Sequence, residues 1–163
     1  MGNLLATEEI FIKEAGMYKR ILVPLDGSEL SECILEHVKV IATGCSVPEV
    51  ILLRVTEPIK HLYEMGEDWH RDAEKRTEVA ATEYLSQVAA DLKQEGIAAE
   101  TTVIRGQAAE EILDYVKNNQ VDLVMMSTHG RSGVSRWLVG SVADRVVRHS
   151  VAPVLAASPS ACR

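Results

Sequence analysis

The sequence predicts an α/β fold: one domain with a parallel sheet and helices on both of its faces. Three observations carry this. A chain of 163 residues with 47% apolar side chains is long and apolar enough for one sizeable core. Short apolar runs recur at 21–25, 50–55, 123–126 and 154–157, the pattern of strands buried on both faces. Between them lie segments with apolar residues three and four apart, and strict strand–helix alternation implies parallel strands joined by helical crossovers.

Residues 1–16 read as an N-terminal extension, with apolar Ile10, Phe11 and Ile12 but no clear period; the domain proper spans 17–163. The first strand falls within 18–26, and Asp26-Gly27-Ser28 ends it with Ser28 as a helix N-cap. Leu30, Cys33, Ile34, Val38 and Ile41 predict a helix over 29–43, stopped by Gly44. A second strand covers 50–55. The polar stretch 56–68, with Pro58 and Gly66, is the longest candidate loop, and loops of that length are binding lids or plain linkers. A long helix is expected over 69–95, with Ala73, Ala80, Ala81, Tyr84, Leu85, Val88 and Leu92 inward and Gly96 at its end. A weakly alternating strand over 98–105 follows, then a helix over 107–118 set by Ala109, Ile112, Leu113 and Val116. The last strand–loop–helix–strand unit runs from 121 to 155. Its helix should start near Ser141, which stands three residues before Asp144 in a capping-box spacing, and Pro153 should lie beyond its end.

Composition excludes several functions. A net charge of −7 opposes nucleic acid or an anionic membrane as main partner. No apolar run is long enough to span a bilayer, and Glu8 and Glu9 interrupt the place of a signal peptide. Cys33, Cys45 and Cys162 are odd in number and lack metal-ligand spacing, so a reduced, cytoplasmic chain is expected. The chain has no G-x-x-x-x-G-K-[ST] loop, no G-x-G-x-x-G after the first strand, no H-E-x-x-H, no C-x-x-C and no G-x-S-x-G. Without a nucleophile-and-base motif, no catalytic residue is assigned. His129 is a loop histidine to which no orienting carboxylate can be matched.

The informative stretch is the helix start at 140–143. The first turn of a helix carries N–H groups with no intrahelical partner and partial positive charge. Between His129 and His149 stand Arg131, Arg136, Arg145 and Arg148 against one acid, Asp144. This fits an anion site, and it equally fits a self-capped helix with surface arginines. Ligands on parallel sheets bind beyond the carboxyl ends of the strands, which is where Pro24, Leu25, Asp26 and the 127–133 loop fall.

Three segments carry a resemblance: Ile21-Leu-Val-Pro-Leu-Asp-Gly-Ser28, Met126-Ser-Thr-His-Gly-Arg-Ser-Gly133, and Gly140-Ser-Val-Ala-Asp-Arg-Val-Val-Arg-His-Ser150 followed by Pro153-Val-Leu155. From 17 to 157 the chain resembles a universal stress protein of the nucleotide-binding type. The resemblance implies five parallel strands in the order 3-2-1-4-5, a homodimer, and ATP, ADP or AMP in the cleft, possibly with Mg2+. It implies contacts to adenine and ribose from Pro24, Leu25, Asp26 and Val55, with Asp26 also facing the metal. Met126, Ser127, Thr128, His129, Gly130, Arg131, Ser132 and Gly133 would wrap ribose and phosphates, and Gly140, Ser141, Val142 and Ala143 would donate N–H groups to phosphate. Ser127 stands where the family pattern has glycine. The expected function is a regulatory adenine-nucleotide-binding module in stress response. Alternatives are a slow Mg2+-dependent ATPase and a dimeric scaffold that binds no nucleotide. The apolar 154–157 strand, if it is an edge, would pair two copies.

Overall fold

The computed structural model describes residues 16–58, 66–129 and 139–158. It contains β1 (Arg20–Pro24), α1 (Glu29–Glu32), α2 (Leu35–Gly44), β2 (Glu49–Thr56), α3 (Glu67–Gln94), β3 (Ala99–Arg105), α4 (Ala108–Asn118), β4 (Leu123–Ser127), α5 (Ser141–His149) and β5 (Val154–Ala157). The five strands form one sheet in the order β3-β2-β1-β4-β5, every pair parallel.

Period-two alternation along the strands divides the core into two layers. Ile21, Val23, Val50, Leu52 and Met125 pack with Ile34, Val38, Leu85, Val88 and Leu92, the layer under α2 and α3. Leu22, Ile51, Leu53, Val124 and Met126 pack with Ile112, Val116, Ala143 and Val146, the layer under α4 and α5. A sheet buried on both faces needs continuous apolar runs, and Ile21 to Val23 of β1 and Leu123 to Met126 of β4 supply them.

The strand order reverses between β2 and β4, which flank β1. Asp122 ties the amino end of β1 to β4 by accepting from the Lys19 and Arg20 N–H groups at 2.7 and 3.1 Å. Towards the carboxyl end the β1–β4 register stops at Leu22↔Val124, and a cleft opens there.

Several expectations need correction. The helix expected over 29–43 is two helices, because the chain turns at Cys33 and Ile34. Ser28 does cap the first, accepting from the Ser31 N–H at 3.2 Å. Gly44 is the last residue of α2, and the left-handed turn after it falls on Ser46 (φ 51°). In α3 Ala80 is exposed, and His70 is buried against the edge of Trp69. Apart from His70, the buried stripe of this 28-residue helix is Ala81, Leu85, Val88 and Leu92, and Ala80 falls about 100° away from it around the helix. Cys33 is disulfide-bonded, against the expected free thiol, while Cys45 is free. The Cys33 sulfur lies 3.9 Å from the Ser158 carbonyl, where the chain leaves β5. Among the described residues no helix is long and apolar enough to cross a membrane. The extension 1–15 and the centre of the 56–68 loop lie outside the described residues.

Candidate functional site

A cleft of about 450 Å3 opens at the carboxyl ends of β1, β2 and β4. That is within the range of small-molecule sites. Three pieces of chain build it.

The first is the turn after β1. Asp26 Oδ1 accepts from the Ser28 N–H at 2.9 Å and from the Ser28 hydroxyl at 2.6 Å, closing an Asx-type turn through Gly27 (φ 78°). Only glycine enters that left-handed position without cost, so the sharp exit from β1 is encoded locally.

The second is the end of β4 and its return. Thr128 donates its N–H to the Ala157 carbonyl at 2.8 Å, and its own carbonyl accepts from the Gly140 N–H at 2.7 Å. The two ends of the intervening loop are thereby pinned together. A Cβ on Gly140 would stand 3.0 Å from the Thr128 carbonyl oxygen, tighter than an ordinary contact, so a larger residue would have to push this return apart by a few tenths of an ångström. His129 Nδ1 lies 2.9 Å from the Thr128 hydroxyl; its Nε2 is buried and has no partner among the described residues. The Ser127 hydroxyl accepts from the His129 N–H at 3.4 Å.

The third is the start of α5. Gly140, and not Ser141, is the N-cap, and no side chain caps the helix. The expected capping box does not form: Asp144 turns along the helix to Arg148 at 2.8 and 3.0 Å. The first intrahelical bond runs from Asp144 N–H to the Gly140 carbonyl. The N–H groups of Ser141, Val142 and Ala143 therefore have no intrahelical acceptor, and these residues line the cleft. Arg145 pairs with Glu110 at 3.1 Å, so Arg145 and Arg148 are ordinary surface ion pairs and not an anion-binding set.

The structure thus gathers Pro24, Leu25, Asp26, Val55, Met126, Ser127, Thr128, His129, Gly140, Ser141, Val142 and Ala143 around one cleft. Gly130, Arg131, Ser132 and Gly133 lie outside the described residues. Sequence reasoning missed Arg54, Thr56, Glu57 and Thr77, which also line it. Arg54 was detectable as a charge inside an apolar strand. Thr77 was not, since it stands on α3, one turn before the buried stripe that starts at Ala81.

The open end of β2 is the cleft's polar wall. The residues of β2 that bond towards β1 alternate with those that bond towards β3. Val50 N–H reaches the Ala98 carbonyl and Gly106 N–H reaches the Thr56 carbonyl, both on the β3 side. Leu53 carbonyl takes the Leu25 N–H at 2.9 Å on the β1 side. Val55 therefore turns its N–H and C=O towards β1, past the point where β1 has ended. Nearby, the buried Tyr84 hydroxyl faces Glu32 and Ser31 without a well-formed hydrogen bond among the described residues. Burial first, then Glu32, pushes its phenol well above the usual tyrosine range.

These features define a class: a doubly wound α/β protein with a ligand cleft at the switch point of its sheet. Within that class the chain belongs to the universal stress protein family, whose model matches residues 17–158. It is 33% identical over 141 residues to universal stress protein MJ0531 of Methanocaldococcus jannaschii, covering 85% of this chain and 81% of that one. It is 29% identical over 153 residues to universal stress protein MJ0577 of the same organism, covering 85% and 94%. The solved structure of MJ0577 superposes with a TM-score of 0.76 over 87% of this chain and 96% of its own. A universal stress protein family member from Arabidopsis thaliana, solved with AMP bound, is 17% identical and superposes with a TM-score of 0.62 over 86% and 91%, a likeness of fold alone.

Proposed function

We propose that the cleft binds an adenine nucleotide (ATP, ADP or AMP) and that the protein is a regulatory, nucleotide-responsive module in stress response. The observation that carries this reading is one cleft holding two complementary polar edges: the open N–H row at Ser141, Val142 and Ala143, and the open main chain of Val55. The helix start suits phosphate. The Val55 N–H and C=O offer one donor and one acceptor side by side, which suits the N1 acceptor and exocyclic amine of adenine. Guanine presents the reverse, an N–H and a carbonyl oxygen. Met126 and Pro24 supply apolar wall, and at about 25 cal/mol per Å2 base burial carries much of the affinity. Micromolar binding needs about 8 kcal/mol, and a helix terminus contributes only about 0.3–2. The AMP-bound relative adds support through its shared fold.

Asp26 is the carboxylate at the cleft where a Mg2+ ion escorting a triphosphate would find a protein oxygen, its other ligands being phosphate and water. The ion would neutralise phosphate charge there. Hydrolysis has less behind it, because His129 Nδ1 faces a hydroxyl and not an orienting carboxylate.

Base selectivity tests the reading. ATP is expected to displace a fluorescent ATP analogue about 30-fold more effectively than GTP, the equivalent of about 2 kcal/mol for one hydrogen-bonded edge made against one opposed. Equal displacement by the two would remove Val55 from base recognition.

We also infer a homodimer through β5. This strand is the edge of the sheet, Ala156 on it is exposed, and Val147 and Val151 beside it are 50% and 75% exposed. A second copy about a two-fold axis would cover that edge. Sedimentation equilibrium should return about twice the 17.9 kDa chain mass. A single-chain mass at micromolar protein would exclude the pairing.

A further inference from the structure

We infer that Arg54 is a positioning residue that keeps β1 and β2 apart at the mouth of the cleft, and so leaves the Val55 main chain open to a ligand. Arg54 is the third side chain of a row on β2. The first two, Val50 and Leu52, are fully buried in the layer under α2 and α3. Arg54 is itself only 8% exposed. A guanidinium in such a row is costly to bury unless its hydrogen bonds are met. It meets one by donating from Nη1 to the Leu25 carbonyl at 3.2 Å.

That carbonyl is the significant partner. The β1–β2 register runs from Arg20↔Glu49 to Pro24↔Leu53, and Leu25 N–H then reaches the Leu53 carbonyl at 2.9 Å. The next rung of a parallel ladder would be Val55 N–H to the Leu25 carbonyl. The rung is absent, and the carbonyl that would accept it bonds Arg54. Beyond it the chain leaves the sheet through Asp26 and Gly27. A side chain on one face of β2 thus unzips the strand pair whose open edge serves the cleft. This inference rests on the nucleotide reading for its consequence, but the missing rung can be measured without any nucleotide.

The test is amide hydrogen exchange at Val55 in the nucleotide-free wild-type protein and in Arg54→Met, which keeps the length and loses the donors. In the wild type the Val55 amide is expected to exchange at least about 10-fold faster than that of Leu53. In Arg54→Met it is expected to slow by about 10-fold as the rung forms. ATP affinity should fall about 10-fold and the ATP-to-GTP ratio should approach one, while inorganic tripolyphosphate binds as before. Arg54→Lys, which keeps a donor, should restore the ratio. If Arg54→Met does not fold, the wild-type exchange and the Arg54→Lys ratio decide. Wild-type Val55 as protected as Leu53, or a folded Arg54→Met with unchanged exchange and unchanged base ratio, would overturn the inference. Failure of the wild type to bind any nucleotide would strike the nucleotide reading alone, and the exchange result would still stand or fall by itself.

Discussion

Ser141→Asp is expected to stabilise the free protein and to lower its ATP affinity at least about 100-fold. Both effects come from one carboxylate in one place. Ser141 is the first residue of α5, and Gly140 before it offers no side-chain cap. A negative charge in the first turn interacts with the helix dipole and with unpaired N–H groups, worth about 0.3–1 kcal/mol. In a domain of this size that is a rise of about 1–4 °C in melting temperature. The same charge stands on the N–H row proposed for phosphate. At an effective dielectric of 20, two like charges about 5 Å apart repel by about 3 kcal/mol, enough for the 100-fold loss. A thermal melt and a nucleotide titration on the same preparation give both signs. A lower melting temperature would mean that the α5 terminus is not open, and unchanged affinity would place the phosphates elsewhere.

Leu52→Ala should have the largest effect on stability. Leu52 is fully buried in mid-β2, within the layer formed with Val23, Val50, Leu85 and Val88. Removing it leaves a cavity that close-packed neighbours on a five-stranded sheet cannot fill, at a cost of about 2–5 kcal/mol. The melting temperature should fall by about 5–15 °C, and the urea midpoint should drop with an unchanged slope. A loss under about 1 kcal/mol would contradict the two-layer core. Binding by the folded fraction should persist, because Leu52 points away from the face on which Leu53 and Val55 meet the cleft.

The fold was legible wherever one pattern met one environment. The middle of β1 and the first four residues of β4 are apolar without alternation because both faces of the sheet are covered, and α4 shows its inner face at clean helical spacing. Legibility failed where tertiary context decided. Ala80 and Ala81 both look inward by composition, yet only Ala81 lies on the stripe with Leu85, Val88 and Leu92, and packing decides which of the two neighbours is covered. Ser141 and Asp144 have the spacing of a capping box. It does not form because Gly140 takes the N-cap position, which puts Ser141 inside the helix, and Asp144 finds Arg148. The cleft-lining residues near Gly140 and Asp26 were readable because turns and helix starts have local signatures. Arg54 shows in the sequence as a charge inside an apolar strand, but its partner and the open edge of Val55 depend on where β1 stops relative to β2, a non-local fact that no window of sequence contains.

The most direct measurement is isothermal titration of ATP into nucleotide-free protein, with and without Mg2+. One saturable site per chain with a dissociation constant near micromolar is the expected result, and tighter binding with Mg2+ would place Asp26 beside the ion. A flat titration, from protein shown to be folded and free of carried-over nucleotide, would contradict the nucleotide-binding reading. Ser127, where the nucleotide-binding pattern has glycine, would then be the first residue to revert.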